Sequence, residues 1–447
     1  IIILTKITFL TFMLSSRTLN LYSSIFFTLK KKVRLNITIN WIRRGFIMKQ
    51  LWKRLEELFP EMVDLRRYFH QYPELSFQEK QTPQKIAEYL KNMGIEVKTG
   101  VGGRGVVGII YGEKPGKTVA LRADFDALPI QDEKTVEYRS KVPGVMHACG
   151  HDAHTATLLV VAKVLQEHRH LLKGNVVLIH QFAEEVAPGG AIAMIEDGCL
   201  DDVDVIFGTH LWSTLPIGTV GYRKGAIMAA ADKFTVTIHG KGGHGAAPHE
   251  TIDSIVIGTT YVQWLQHIVS RRLNPLTPAV VTVGSFHAGG AFNVIADQAS
   301  IVGTVRTFDS STQDFIIHEM ENYLKALCQS VGASYRFDYE KGYPVVYNHE
   351  KETEFLVQCA KQVVSEENVL EMEPVMGGED FAYYLQKVPG VFFFTGAGNP
   401  EVGAHYPHHH PKFDIDERAM LYAAKILISA TVSYLNHSFS MESLASV

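Results

Sequence analysis

Four strongly apolar runs in this chain each end in a cluster of acids, imidazoles or glycines, and that repeated order constrains the fold more than any single motif. Residues 118–121 run into Arg122-Ala123-Asp124-Phe125-Asp126, and 175–179 lead to Glu184-Glu185. Residues 203–207 lead to His210, and 391–394 to Thr395-Gly396-Ala397-Gly398. Short, continuous apolar runs of this kind predict buried strands. Helical patterns lie between them. Leu51, Leu55, Leu58, Met62, Leu65 and Phe69 place one apolar stripe on an opening helix, and a second helix is expected over 82–93. Residues 153–167, with Leu158, Leu159, Ala162 and Leu165 at core spacing, predict a third. The class is α/β. In open α/β sheets ligands bind beyond the carboxyl ends of the strands, so acids and imidazoles placed there can converge from distant parts of the sequence.

A different texture occupies the stretch from about 230 to 340. Strands are expected at 233–239, 279–286, 299–308 and 334–339, with helices at 251–270 and 312–330. The order is βαββαβ, the ferredoxin-like unit with both helices on one face of a four-stranded sheet. A helix at 350–366 and the strand at 391–394 then resume the first texture, so the smaller domain is inserted in the larger. The expected division is 48–228 and 341–437 for the larger domain, 229–340 for the insertion, and 438–447 for a tail.

Composition narrows the function. With 447 residues and 46% hydrophobic content the chain can bury a large core. Residues 1–48 hold eight Lys or Arg and no Asp or Glu, leaving 35 basic and 47 acidic side chains in 49–447, a formal charge of −12. Nucleic-acid binding needs a basic surface and is excluded on that count. No apolar run of about 18 residues occurs in the leading segment, so no transmembrane helix is expected there, nor a membrane partner. Its composition, and Met48 opening a patterned helix, read residues 1–47 as a non-native or disordered leader. Cys149, Cys199, Cys328 and Cys359 lie far apart, which argues for a reducing, cytoplasmic setting rather than a disulfide scaffold.

Of these cysteines, Cys149 stands in the densest chemical segment, His147-Ala148-Cys149-Gly150-His151-Asp152-Ala153-His154. Thiolate and neutral imidazole favour transition metals. On an extended backbone Cys149 and His151 leave the same face and can reach one ion. The alternative is a polar turn in which Asp152 caps the following helix. Glu184-Glu185 reads either as an exposed acidic turn or as a metal ligand beside a general base. His210 reads equally as a core histidine, and the tract His408-His409-His410 does not by itself show which imidazole matters.

Taken together the motifs resemble a known family. Arg122-Ala-Asp-Phe-Asp-Ala-Leu-Pro129, His147-Ala-Cys-Gly-His-Asp152, Ala183-Glu-Glu185, Gly243-His-Gly-Ala-Ala-Pro248 and Asn293-Val-Ile-Ala-Asp297 occur in order. Gly303-Thr-Val-Arg306, Gly377-Gly-Glu-Asp-Phe381 and His409-His-Pro-Lys-Phe413 follow. From about Met48 to Leu435 the chain resembles the amidohydrolase branch of the dinuclear metallo-aminoacylase and carboxypeptidase superfamily. That branch includes N-acyl-amino-acid amidohydrolases, hippurate hydrolases and plant auxin-conjugate hydrolases.

The resemblance implies a zinc-exopeptidase-like three-layer αβα catalytic domain with an inserted ferredoxin-like lid or dimerisation domain. It implies two divalent ions per subunit (Mn, Zn, Co or Ni), with Cys149, His151, Glu185, His210 and His409 on the ligand positions and Cys149 bridging. Glu184 falls on the general-base position, and Asp126 on that of an acid that orients the ligands. His244 would polarise the scissile carbonyl, in many relatives from the opposite subunit. Asn293 and Arg306 would contact a substrate carboxylate. The implied reaction is hydrolysis of an N-acyl amino acid or short peptide in a homodimer or higher homo-oligomer. A dipeptidase or carboxypeptidase on the same ions is the alternative. A catalytically silent metal-binding scaffold is a third reading, which intact Glu184 opposes. One departure is Ala296 where the family commonly has Pro, which frees one backbone angle.

Overall fold

The computed structural model describes residues 45–436; the expected leader up to residue 44 and the tail from 438 lie outside the described residues. The chain divides between Glu56 and Glu57 into two compact units. In the first, residues 45–56 are helical. The second carries an eight-stranded sheet, a four-stranded sheet and two two-stranded ribbons. The single opening helix expected through Phe69 is interrupted by a turn at Leu58, and a new helix spans Phe59–Gln71. Pro60 explains the break: it lacks an N–H and is tolerated only in a helix's first turn.

The strands, in chain order, are β1 (Glu96–Val101), β2 (Gly105–Tyr111), β3 (Lys114–Asp124), β4 (Lys173–Gln181), β5 (Val205–Pro216) and β6 (Val220–Tyr222). Then follow β7 (Gly225–Met228), β8 (Ala230–His239), β9 (Gly243–His244), β10 (Ala279–Ala288), β11 (Val294–Ile295) and β12 (Gln298–Thr307). The last are β13 (Ser334–Tyr343), β14 (Val346–Asn348), β15 (Val369–Glu371) and β16 (Gly390–Gly398). Eight of them form a mixed sheet in the order β1-β2-β4-β3-β5-β16-β6-β15.

The middle of that sheet is parallel, with β4, β3, β5 and β16 side by side and Leu121 level with Leu178 and Phe207. Parallel strands need cover on both faces, and β16 is buried almost end to end. Helices supply it in a three-layer arrangement. Helix His151–Glu167 packs against β3 and against helices Phe59–Gln71 and Arg418–Asn436. It is buried nearly all round, its middle by apolar side chains and its first turn by the buried polar groups His151, Asp152 and His154. The parallel strands run one or more residues past their expected ends, so Asp124 and Gln181 close β3 and β4 at one edge while His210 sits inside β5, opposite Phe394.

The second sheet is antiparallel, β10-β12-β8-β13. In sequence order this is 2-3-1-4, the arrangement that βαββαβ chains adopt in the ferredoxin-like unit. Alternation along β8 sends Phe234, Val236 and Ile238 into one core with Ile257, Tyr261 and Leu265 of helix Ser254–His267 and Ile316, Met320 and Leu324 of helix Ser310–Val331. Asp253 and Asp309 cap these helices by accepting backbone N–H groups. The helix expected over 350–366 ends at Ala360, and the chain turns through Lys361, Gln362 and Val363. Among the described residues no helix is long and apolar enough to cross a membrane.

Candidate metal centre

Cys149 and His151 converge by a different route from the one their spacing suggests. The segment is not an extended strand. Gly150 adopts a left-handed conformation (φ 95°) and its carbonyl accepts the N–H groups of Ala153 and His154, so His151 opens a helix directly after a bend. A side chain at 150 would be strained in that conformation. Asp152 does not cap the helix: its carboxylate takes Arg66 Nε at 2.9 Å and His70 Nδ1 at 2.7 Å, both buried.

Around this bend the sheet edge delivers the other candidates. Cys149 Sγ lies 3.3 Å from His210 Nε2 on β5. His409 Nε2 lies 3.3 Å from Glu185 Oε2 in the loop after β4, and His151 Nε2 lies 3.8 Å from Glu185 Oε1. Ligand atoms about 2.0–2.3 Å from a tetrahedral ion are about 3.3–3.7 Å from each other, so these separations match the edges of a coordination polyhedron. Cys149 belongs to two such groups, one with His151 and His210, the other with Glu185 and His409. A third joins His151, Glu184 and Glu185.

Hydrogen bonding fixes which nitrogen each imidazole presents. His210 Nδ1 donates to the Leu211 carbonyl at 2.9 Å, and His151 Nδ1 is held by the carbonyl and carboxylate of Asp126 at 3.0 and 3.1 Å. Their Nε2 lone pairs therefore face the cluster. Asp126 also accepts from Ser76 Oγ at 2.7 Å and from the Glu185 N–H at 3.0 Å, tying one ligand ring to the backbone of another candidate. His154, though grouped with Asp124 and His151, has both nitrogens committed. Its Nδ1 bonds Asp124 at 2.7 Å and its Nε2 accepts the Leu211 N–H at 2.9 Å. In the histidine tract, His408 Nε2 bonds the Leu211 carbonyl and His410 Nδ1 accepts the Lys412 N–H. His409, held at φ 65° by its N–H to the Ala148 carbonyl, is the one turned toward Glu185.

The site suits cations. His151 Nε2 and Glu185 Oε1 are buried with no hydrogen-bond partner, a cost of about 1–3 kcal/mol for each neutral group and more for a charge. Burial, then Glu185 and Glu184, push the Cys149 thiol well above its usual value. Burial, then Glu379, do the same to the Glu184 carboxyl. Burial alone would depress His151, but Asp124, Asp126 and Glu185 outweigh it and lift it to about 10. Without an added positive charge this cluster keeps its protons. Divalent ions would displace them and satisfy the open donors, so the residues fit a metal pair.

Behind Glu184 lies a second buried layer to which the sequence reading gave no role. Arg122 on β3 pairs with Asp124 at 2.6 Å, Glu379 at 3.0 Å and Asp380 at 2.8 Å. Asp380 also accepts Gln181 Nε2 at 2.7 Å and the Ala191 N–H at 3.1 Å, spanning the loop that carries Glu184. Burial, partly opposed by Arg122, holds Glu379 at about 8. The available signal was two adjacent acids after Gly377-Gly378, with no periodicity to show that they turn inward.

Three expected residues stand apart from the cluster. His244 is exposed on β9, its Nδ1 accepting the Ala246 N–H, and Val294 beside Asn293 pairs with it. Asn293 contributes its carbonyl to the Gly245 N–H at 2.8 Å. Arg306 on β12 is half-buried and bonds Thr304 Oγ1 and the Val305 carbonyl. Among the described residues, no hydrogen bond or ion pair joins any of the three to Cys149, Glu184 or their neighbours.

A mixed sheet whose parallel central strands gather thiol, imidazoles and paired carboxylates at their carboxyl ends around a cation-hungry centre defines a metal-dependent hydrolase. The chain belongs to Peptidase family M20/M25/M40, which it matches over residues 120–432. It is 59% identical over 388 residues to YhaA of Bacillus subtilis (strain 168), covering 87% of this chain and 98% of that protein. It is 47% identical over 304 residues to the N-acyl-L-amino acid amidohydrolase of Geobacillus stearothermophilus, covering 68% and 82%. Among solved structures it resembles the Bacillus subtilis YXEP protein, described as a dinuclear metal binding peptidase from the M20 family. That match has a TM-score of 0.74 and 35% identity, and covers 85% of this chain and 99% of the other.

Proposed function

We propose that this protein hydrolyses the amide bond of N-acyl amino acids, releasing a carboxylic acid and a free amino acid. The observation that carries the reading is the convergence of Cys149 with His151 and His210 on one side and with Glu185 and His409 on the other, with Glu184 buried beside them. These five residues would hold two divalent ions (Mn, Zn, Co or Ni), Cys149 as the shared ligand and Asp126 orienting His151. Bound divalent ions lower the pKa of water from about 15.7 to about 7 and polarise a carbonyl.

The remaining steps belong to the chain. Glu184 takes a proton from the attacking water and returns it to the leaving amine. His244 supplies a donor to the developing oxyanion. Because it is exposed and apart from the cluster within one chain, a second copy in a homodimer or higher oligomer is the source this reading assigns. Asn293 and Arg306 would then meet the substrate's carboxylate. The reading treats 229–340 as an inserted lid or dimerisation unit between catalytic parts 48–228 and 341–437.

A peptidase working on the same ions is the second reading, favoured by the family's description and by that of the YXEP protein. A hydrolysis screen of N-acetyl, N-benzoyl and indole-acyl amino acids against unblocked dipeptides, with each metal added in turn, separates the two. Faster cleavage of N-acyl amino acids is expected; faster cleavage of dipeptides would replace this reading with the second.

A further inference from the structure

The backbone that presents Glu184 and Glu185 is held by side chains from three separate parts of the fold. Ala183, left-handed at φ 53°, gives its N–H to Glu79 Oε1 at 3.0 Å. The Glu185 N–H goes to Asp126 Oδ2 at 3.0 Å. Between them, the Glu184 carbonyl accepts the Tyr343 hydroxyl at 2.7 Å. A non-glycine residue in that conformation is disfavoured and persists only where its surroundings over-determine it. Each of the three residues has its own restraint.

Tyr343 differs from the other two in origin. Glu79 and Asp126 belong to loops beside the large sheet, whereas Tyr343 ends β13, the last strand of the small sheet. The strand end is itself fixed. Gly342 gives its N–H to Asp232 Oδ1 at 3.1 Å, and its carbonyl accepts the Tyr383 hydroxyl at 3.1 Å. A Cβ at 342 would stand 2.1 Å from the Ala231 carbonyl, so only glycine lets β13 pass so close to the start of β8. Tyr343 packs edge-on to Tyr383 at 6.3 Å and is 8% exposed. Burial, then the charge of Asp380, keeps its phenol protonated and so a donor.

We propose that Tyr343 is a positioning residue for the reaction: its hydroxyl fixes the Glu184 peptide from the root of the small sheet, so that the carboxylate is aimed and its aim depends on where that sheet sits. This rests on the reading of Glu184 as the base. Phenylalanine at 343 keeps the ring and its contact with Tyr383 and removes only the hydrogen bond.

The test is a double-mutant cycle of Tyr343→Phe and Glu184→Gln on the metal-loaded enzyme, with kcat, KM and metal content measured for each protein. Tyr343→Phe is expected to lower kcat about ten- to a hundredfold, since misplacing a catalytic group by about 1 Å can cost about 10²-fold. KM and metal content should stay within about twofold of wild type, and the substitution should have no further effect in the Glu184→Gln background. A wild-type kcat in Tyr343→Phe, a loss of metal, or an equal loss in both backgrounds would overturn the positioning role while the large loss in Glu184→Gln left the base intact. Near-full activity of Glu184→Gln would instead overturn the base assignment, and the inference with it.

Discussion

The carboxyl edge of the large sheet and the β9–β11 ribbon of the small domain both carry residues expected to act on substrate, yet they are built in opposite ways. At the sheet edge, Cys149, His151, Glu185, His210 and His409 arrive from four segments of the chain and bring their ligand atoms to a common space, with His151 and His210 buried, Cys149 and Glu185 half-buried and His409 exposed at the rim. On the ribbon, His244 and Asn293 are exposed and, among the described residues, hydrogen-bond to neighbouring backbone. The first region is assembled by one chain; the second is presented. On the proposed function, chemistry that needs desolvated, crowded charge would fall to the first, and contacts that complete the site on closure or assembly to the second.

The largest effect should come from the first region. Glu184→Gln is expected to retain its metal and to lose about 10³-fold in hydrolysis, within the 10²–10⁴ usual for general acid–base groups. Elemental analysis alongside the rate checks both halves, and near-full activity would remove the base. The second region is tested by His244→Ala, expected to cost about 10²-fold in kcat, the usual loss for one oxyanion donor. If His244 acts across subunits, mixing inactive Glu184→Gln and His244→Ala chains restores activity by forming one intact site. Failure of mixed dimers to recover any activity would place His244 in its own chain's site.

Smaller effects separate the regions by charge. Burial beside Glu185 and Glu184 keeps the Cys149 thiol protonated in the metal-free site, so adding Zn to the apo protein at pH 7 should release at least about one proton per chain. Calorimetry in buffers of different ionisation enthalpy measures it, and a zero slope would deny Cys149 a place among the ligands. Beneath the cluster, Asp414 is buried against Arg66 and Lys134, and burial, which raises its pKa, is outweighed by those two charges. Its folded-state pKa is depressed. The stability it contributes is therefore present above the unfolded value of about 3.9 and lost as pH falls through the folded value. Asp414→Asn should flatten the dependence of Tm on pH below about pH 4, and an unchanged acid profile would show that the pair contributes little.

Much of the large sheet was legible because each parallel strand is a continuous apolar run closed by polar residues, a pattern dictated by burial on both faces. The βαββαβ order was legible because β8 alternates and helices Ser254–His267 and Ser310–Val331 carry their own caps. Edge strand β1 and the short β6 and β15 were missed, since mostly exposed or three-residue strands leave weak patterns; β2, an apolar run paired on both sides, was missed as well. In the site, chemistry-bearing residue types could be seen but their convergence could not. Nothing local shows that Glu379 and Asp380 meet Arg122, or that Tyr343 reaches Glu184, because a tyrosine at a strand end reads as an ordinary core aromatic. The bend at Gly150 was hidden for the same reason: two ligand types two residues apart fit an extended strand as well as a left-handed turn.

The central claim is that one thiolate is shared by two ions, and metal content tests it most directly. Wild-type protein should retain two divalent ions per chain after exhaustive dialysis, His210→Ala and His409→Ala about one each, and Cys149→Ala none. Two ions retained by Cys149→Ala would contradict the account.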